Sequence, residues 1–389
     1  MSSDPVLPLG DVCTFLNGGT PSRSVDSYWN GTIPWITGAD IDGPEVVRCR
    51  SHVTKEGLRA SATNLVPAGT LLLVTRTSVG KIAAAGVDMC FSQDITAVIP
   101  DESRVDKGYL RQFLASRAEV LKSAARGATI KGVTRQDVAD LRIPLPPLGE
   151  QRRIAGILVA ADGLRAKRRE SIALLDTLTQ SIFLDMFGDP GRNPRGWPVS
   201  SIGDLLERAQ YGTSAKAGTI GELPVLRMGN ITSNGYIDFS DLKYLDLTER
   251  ERDKYLVRPG DVLFNRTNSP DLVGKSAIFR SREEYAYAGY LIRLRTLPGN
   301  NPEYLAAFLN SAYAKTVLRS MCKSIIGMAN INAREIQAMR IPVPPGALQD
   351  DFADLIQSVE DAKVPQGRSL TELGQLFAAL QSRAFRGEL

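Results

Sequence analysis

A chain of 389 residues, 43% hydrophobic and with a formal net charge of +4, exceeds what a single core ordinarily supports and points to two or more folded domains. It has no run of about 18 apolar residues. The opening MSSDPVLPLGD meets Pro and Asp at once, so neither a membrane span nor a secretory leader is expected, and a cytoplasmic location is. Cys13, Cys49, Cys90 and Cys322 are scattered without CxxC spacing and read as reduced thiols rather than disulfides or a zinc site.

In chain order, residues 1–147 read as a first mixed domain. Short β-branched runs such as Thr70 to Thr75 alternate with Gly, Pro and Asn turns, and Tyr109 to Ala125 is patterned as an amphipathic helix. The phrase LRIPLPPLGEQ, Leu141 to Gln151, closes the domain, because proline neither continues a helix nor lets its predecessor do so. Residues 148–190 then carry apolar positions in alternating steps of three and four: Ile154, Ile157, Ala161, Leu164, Ser171, Leu175, Leu178 and Ile182, interrupted by Arg168. That spacing predicts a coiled-coil-like helix of about 40 residues, hence about 60 Å long.

The pattern then begins again. Residues 191–346 hold a β-branched run from Asp261 to Asn265, a helical stretch from Pro302 to Met321 and the phrase MRIPVPPGALQ, Met339 to Gln349. Residues 347–389 repeat the seam as Phe352, Leu355, Val359, Ala362, Ser369, Leu373, Leu376 and Leu380. At a constant offset of 198, Val138 falls on Ile336, Ile143 on Ile341, Gln151 on Gln349, Leu175 on Leu373 and Phe187 on Phe385. A long period present only twice argues for duplicated domains and against a solenoid. The expected fold is α/β (α+β): two globular domains of mixed sheet and helices, separated by two long antiparallel coiled-coil-like helices with pseudo-twofold symmetry. Pro365 and Gly367 predict a break in the second helix.

Catalytic chemistry is hard to find. His52 is the single histidine, and one histidine cannot build a histidine-rich metal site. LVGKSA, Leu272 to Ala277, imitates the tail of a phosphate loop, but Ser269 stands where that loop needs its first glycine. No methyltransferase, nuclease or glycine-rich cofactor motif is present. The expectation is recognition rather than catalysis, with no metal and no cofactor in this chain.

Recognition has candidates in polar loops. Thr20 and Arg23 lie in GGTPSRS, and Arg76, Thr77, Ser78 and Lys81 in RTSVGK; in the second copy Arg227 and Asn230 lie in LRMGN, Arg266, Thr267 and Asn268 in NRTNS, and Lys275 after them. Arginine pairs bidentately with guanine, asparagine with adenine, and serine or threonine with phosphate oxygens, which suits double-stranded DNA. Plain turns have the same composition. A single-chain DNA enzyme and a protein-binding adaptor are the rival readings.

NGGTPSR...YWNGTIPWITGADI, GATIKGVTRQDVADLRIPLPPLGEQRRIAGIL, SIFLDMFGDP and the terminal LQSRAFRGEL together resemble the specificity subunit of type I restriction-modification systems, over essentially the whole chain. The resemblance implies two target recognition domains, each reading half of a split DNA sequence. It implies helices that fix the spacer and seat two methyltransferase subunits, with restriction subunits joining the complex. It also implies that S-adenosylmethionine, ATP and Mg are bound by those partners. A related defence methyltransferase system is the variant of this reading.

Overall fold

The computed structural model describes residues 4–127, 131–269, 272–321 and 329–389, so the expectation placed on Cys322 lies outside the described residues. The chain is mixed α/β and divides into two compact units. One holds residues 1–168 with 369–389, the other residues 169–368, so each combines a head with one half of each long helix.

The head of the first unit is layered around a five-stranded sheet, in spatial order Cys13–Asn17, Ile95–Pro100, Leu71–Val74, Ile82–Ala85 and Glu45–Val46. The strand Leu71–Val74 is buried at every position because both of its faces are covered. Leu71 and Leu73 face the helices Lys107–Ser116 and Ala118–Ala124, while Leu72 and Val74 face a four-stranded sheet of Ser51–Val53, Trp29–Ile36, Met89–Phe91 and Leu65–Val66. The second head repeats the plan. Its four-stranded sheet runs Leu206–Tyr211, Leu291–Thr296, Val262–Asn265 and Ser276–Ile278, with Val262 and Phe264 toward the helices and Leu263 on the opposite face.

The amphipathic stretches expected as one helix per head are two. Lys107–Ser116 and Ala118–Ala124 part at Arg117, and Pro302–Asn310 and Ala312–Met321 part at Ser311. Ser311 is extended (ψ 153°) and its hydroxyl accepts from the Ala314 amide at 3.2 Å, so a capping side chain starts a new helix where periodicity alone sees continuity.

The two proline phrases form matching clasps. Arg142–Pro144 pairs antiparallel with Val6–Pro8, and Arg340–Pro342 with Val199–Ser201. Proline gives no N–H but keeps its carbonyl. Tyr109 Oη donates to the Pro144 carbonyl at 2.9 Å and Tyr304 Oη to the Pro342 carbonyl at 2.6 Å. Gln151 Nε2 donates to the Pro146 carbonyl and Gln349 Nε2 to the Pro344 carbonyl, both at 2.9 Å. The other end of each amide accepts a backbone N–H, from Asp106 at 2.8 Å and from Asn301 at 2.9 Å. Both glutamines are buried, so the repeat preserves a fully bonded polar joint between head and helix.

The long helices are Leu148–Phe187 and Gly346–Ala384. Within the first unit they run antiparallel, Arg153 Nη2 lying 3.1 Å from the Leu389 carbonyl and the Arg165 guanidinium 4.6 Å from the Phe377 ring centre. In the second unit Lys363 pairs with Asp176 at 2.6 Å, and Phe183 and Phe187 pack on Phe352.

Two expectations about these helices are corrected. Helix Gly346–Ala384 runs through Pro365 without a break. Pro365 and Gly367 are exposed, and anchors lie on both sides: Phe352, Ile356 and Val359 before, Ala384 and Phe385 after, so packing elsewhere along the helix offsets the one backbone bond that proline removes. The seam is also displaced. Ile154, Phe352 and Val359 are buried and Ile157, Leu175, Ile182, Leu373 and Leu380 half-buried, but Leu164, Leu178, Leu355 and Leu376 are 54, 39, 47 and 50% exposed. The inward positions include Leu158, Arg165, Thr179 and Phe183 instead. A straight helix turns every 3.6 residues and drifts from a 3.5-residue pattern, and each helix here packs on its own head as well as on its neighbour.

Candidate nucleic-acid interface

In the first unit the sequence-chosen residues gather at one end of the strands of the five-stranded sheet. The turn joining Leu71–Val74 to Ile82–Ala85 carries Arg76, Thr77 and Ser78, and Gly80 within it has φ +91°. Thr75 and Arg76 both donate their N–H to the Asp94 carbonyl, at 2.8 and 3.3 Å. Beside Asp94, Gln93 accepts a hydrogen bond from Thr20 Oγ1. The 18–24 loop and the 76–78 turn therefore flank one exposed segment.

Two tryptophans brace that loop. Trp29 Nε1 donates to the Ser22 carbonyl and Trp35 Nε1 to the Gly19 carbonyl, each at 3.0 Å, and the two rings meet edge to face at 5.2 Å. Arg23, exposed, lies with its guanidinium carbon 3.6 Å from the Trp29 ring centre. Stacking fixes the plane of the fork while leaving its N–H groups for a ligand. Thr77 holds φ +66°, a left-handed conformation costly for a β-branched residue. Lys81, beside the turn, has one Nζ proton committed to the Ile41 carbonyl at 3.0 Å.

The second unit keeps the braced arginine but spends several other candidates. Arg266 sits 5.0 Å from the Tyr211 ring centre, and Tyr211 Oη is held by the Ala333 amide at 2.7 Å. Among the described residues, neither Arg23 nor Arg266 forms an ion pair with a carboxylate. Asn230, by contrast, is buried: its Oδ1 accepts from the Arg227 amide at 2.9 Å, and its Nδ2 donates to the carbonyls of Asp238 and Asp241 at 2.8 and 2.9 Å. Its amide has no capacity left for adenine. Arg227 pairs with Asp241 at 2.9 Å, and Thr267 is buried in a strand pairing opposite Asn330. The side chain of Asn268 lies outside the described residues. Lys275 is half-buried, and burial lowers its pKa. Gly274 and Lys275 lie in a turn between two strands rather than before a helix, which removes the last likeness to a phosphate loop.

Sequence reasoning missed Gln93 and the braces Trp29, Trp35 and Tyr211. Trp29 was open to discovery, six residues from Arg23 and beside a glycine turn. Tyr211 was not, since it meets Arg266 only through the pairing of Leu206–Tyr211 with Leu291–Thr296. The described residues hold no cluster of three or more His, Cys, Asp or Glu side chains fit for a metal ion. No described helix is long and apolar enough to cross a membrane.

Duplicated heads, each presenting a ring-braced arginine beside a polar turn, define a DNA-recognition scaffold rather than a reaction centre. The chain belongs to the type I restriction modification DNA specificity domain family, whose model matches residues 5–174 and again 194–365. It is a specificity component of such a system, and the family is not the catalytic part. It is 23% identical to the type I restriction enzyme MjaIX specificity subunit of Methanocaldococcus jannaschii, over 99% of this chain and 93% of that one. With the EcoKI specificity subunit of Escherichia coli it shares 24% identity, over 99% and 89%. Among solved structures, the S subunit of a type I restriction-modification system from M. genitalium superposes with a TM-score of 0.57 at 14% identity, covering 98% of this chain and 96% of that chain.

Proposed function

We propose that the two units read different halves of a split duplex DNA target, with Arg23 the central reader in the first and Arg266 in the second. The observation that carries this reading is the braced guanidinium in each head, unpaired to any described carboxylate and set on an aromatic ring. Thr20, Gln93, Arg76, Thr77 and Ser78 complete the first reading surface. The framework phrases match between the copies while the loops around the arginines differ, which fits equivalent partners but unequal half-sites.

In this reading residues 1–147 and 191–346 are the recognition domains, and residues 148–190 and 347–389 are the spacer helices on which two methyltransferase subunits dock. Exposed Leu164, Leu174, Leu178, Leu355, Val364 and Leu376 supply apolar contact for them. S-adenosylmethionine, ATP and Mg belong to the partner subunits, restriction subunits included, and the complex works in the cytoplasm.

The test substitutes Arg23→Ala and Arg266→Ala singly, in the assembled complex, and measures binding to duplexes in which one half-site at a time is scrambled. Each variant should lose about 1 to 3 kcal/mol of discrimination at its own half-site and none at the other. Wild-type discrimination at both halves in both variants would sink the assignment.

A further inference from the structure

A second feature recurs in both heads. In the second unit the turn at Gly274 and Lys275 backs onto helix Ala312–Met321. Gly274 has φ +80°, a conformation that favours glycine, and a Cβ there would fall 2.6 Å from Leu318 Cδ1, so turn and helix meet closely. Lys315 reaches from that helix to donate to the Gly274 carbonyl at 2.5 Å. Arg319 follows one turn on.

This sets two half-buried ammonium groups, Lys275 and Lys315, close to the exposed Arg319. Burial pushes Lys315 down to about 8, and the charges of Lys275 and Arg319, the groups that face it from the turn and from its own helix, push the same way. No described carboxylate forms an ion pair with Lys275 or Lys315. Partly buried ammonium groups without a counter-ion cost free energy that an arriving anion returns.

The first unit builds the same junction from different residues. Gly80 packs against Ala118, where a Cβ would lie 2.9 Å from its Cα, at the start of helix Ala118–Ala124. Lys81, Lys122 and Lys131, with Thr77 and Ser78, line a depression of about 310 Å³. Lys122 there has an exposed partner, Glu119, at 2.6 Å. The two helices share little sequence, AEVLKSA against AYAKTVLRSM, yet each sets cations against the same glycine turn.

We propose that this turn-and-helix junction is a phosphate seat, in which Lys275, Lys315 and Arg319 of the second unit, and Lys81, Lys122 and Lys131 of the first, each hold the backbone of duplex DNA. The inference rests on the reading of the units as DNA readers and adds a sequence-independent grip beside each braced arginine. Such contacts position the protein on the duplex, whereas Arg23 and Arg266 read bases.

The experiment titrates the full chain, assembled with its partner subunits, onto a random duplex of about 30 bp across a range of salt and of pH from about 6.5 to about 9.5. Lys275→Met and Lys315→Met should each lower the slope of log affinity on log salt by about 0.9, an affinity loss of about eightfold at 0.1 M salt. Wild-type affinity should fall as pH rises through about 8, where Lys315 gives up its charge in the free protein. Lys315→Arg keeps the charge, so it should preserve affinity and flatten that pH dependence. A wild-type salt slope in both methionine variants, or an unchanged pH profile in Lys315→Arg, would overturn the seat while leaving base reading intact. Failure of the wild-type complex to bind duplex at any salt would overturn the DNA-reading assignment itself. Lys275→Met and Lys315→Arg carry the test if Lys315→Met does not fold.

Discussion

Asp261→Ala is expected to destabilise the second unit by about 3 to 5 kcal/mol, as removal of one member of a buried charge network does. Asp261 is 1% exposed at the start of strand Val262–Asn265. It accepts the Arg258 amide at 2.8 Å and grips Arg295 with both oxygens, at 2.8 and 2.9 Å. Arg293, 2% exposed, lies 3.8 Å from it and has Gln210 Oε1 and the Leu256 carbonyl as its other partners. Burial lowers the pKa of Arg293, while the bond to Asp261 raises that of Arg295. Removing the carboxylate leaves one guanidinium buried without a counter-charge. Urea unfolding should show the loss as a lower midpoint, and discrimination at the second half-site should vanish with the fold of that unit. A wild-type midpoint would mean the network contributes nothing net.

Phe385→Ala is the matching experiment in the first unit, with an expected cost of about 3 to 5 kcal/mol. Phe385 arrives from the far end of the sequence and meets Tyr109 and Phe113 at ring separations of 5.4 and 5.3 Å. It belongs to the same core as Leu71, Leu73, Ile154 and Leu158. Its counterpart at the 198 offset, Phe187, meets Tyr304 at 4.8 Å in the second unit. Deleting the terminal FRGEL therefore opens the core of a recognition unit. The urea midpoint of Phe385→Ala decides the matter: a shift below about 1 kcal/mol would show that the terminal helix clips onto the head without supporting it.

Much of this was legible because duplication gives one sequence an internal control. The proline phrases, the two long helices and the order within each copy could be read from offsets alone, and the clasp at Gln151 and Gln349 confirms that the repeated letters are repeated bonds. The same control, used harder, would have corrected Asn230. Where IPWITGADI (Ile33 to Ile41) aligns with LPVLRMGNI (Leu223 to Ile231), its partner in the first copy is Asp40, whose carboxylate accepts the Thr37 amide at 2.8 Å, just as Asn230 accepts the Arg227 amide. A position that tolerates both Asp and Asn as a turn cap is a structural position. An aspartate there could never have read adenine as Asn230 was expected to.

The helices were misread for a different reason. A three-four pattern finds apolar residues, not the direction each one faces after several turns, and a head packed alongside changes which stripe is buried. Leu164 and Leu178 satisfied the pattern and face solvent, while Arg165, which lies off the pattern, sits over Phe377. Pro365 carries a local cost that the buried anchors on both sides of it outweigh. The braces of Arg23 and Arg266 depend on strand pairing across long sequence separations, which periodicity does not report.

The central claim, that one chain reads two half-sites at a fixed separation, is tested most directly by mapping methylated bases genome-wide in cells that carry this chain with its partner subunits. The account predicts a split motif with a gap of constant length, lost when the chain is deleted and altered in the second half alone when Arg266 is replaced. A continuous motif, or a split motif that survives deletion of the chain, would contradict it.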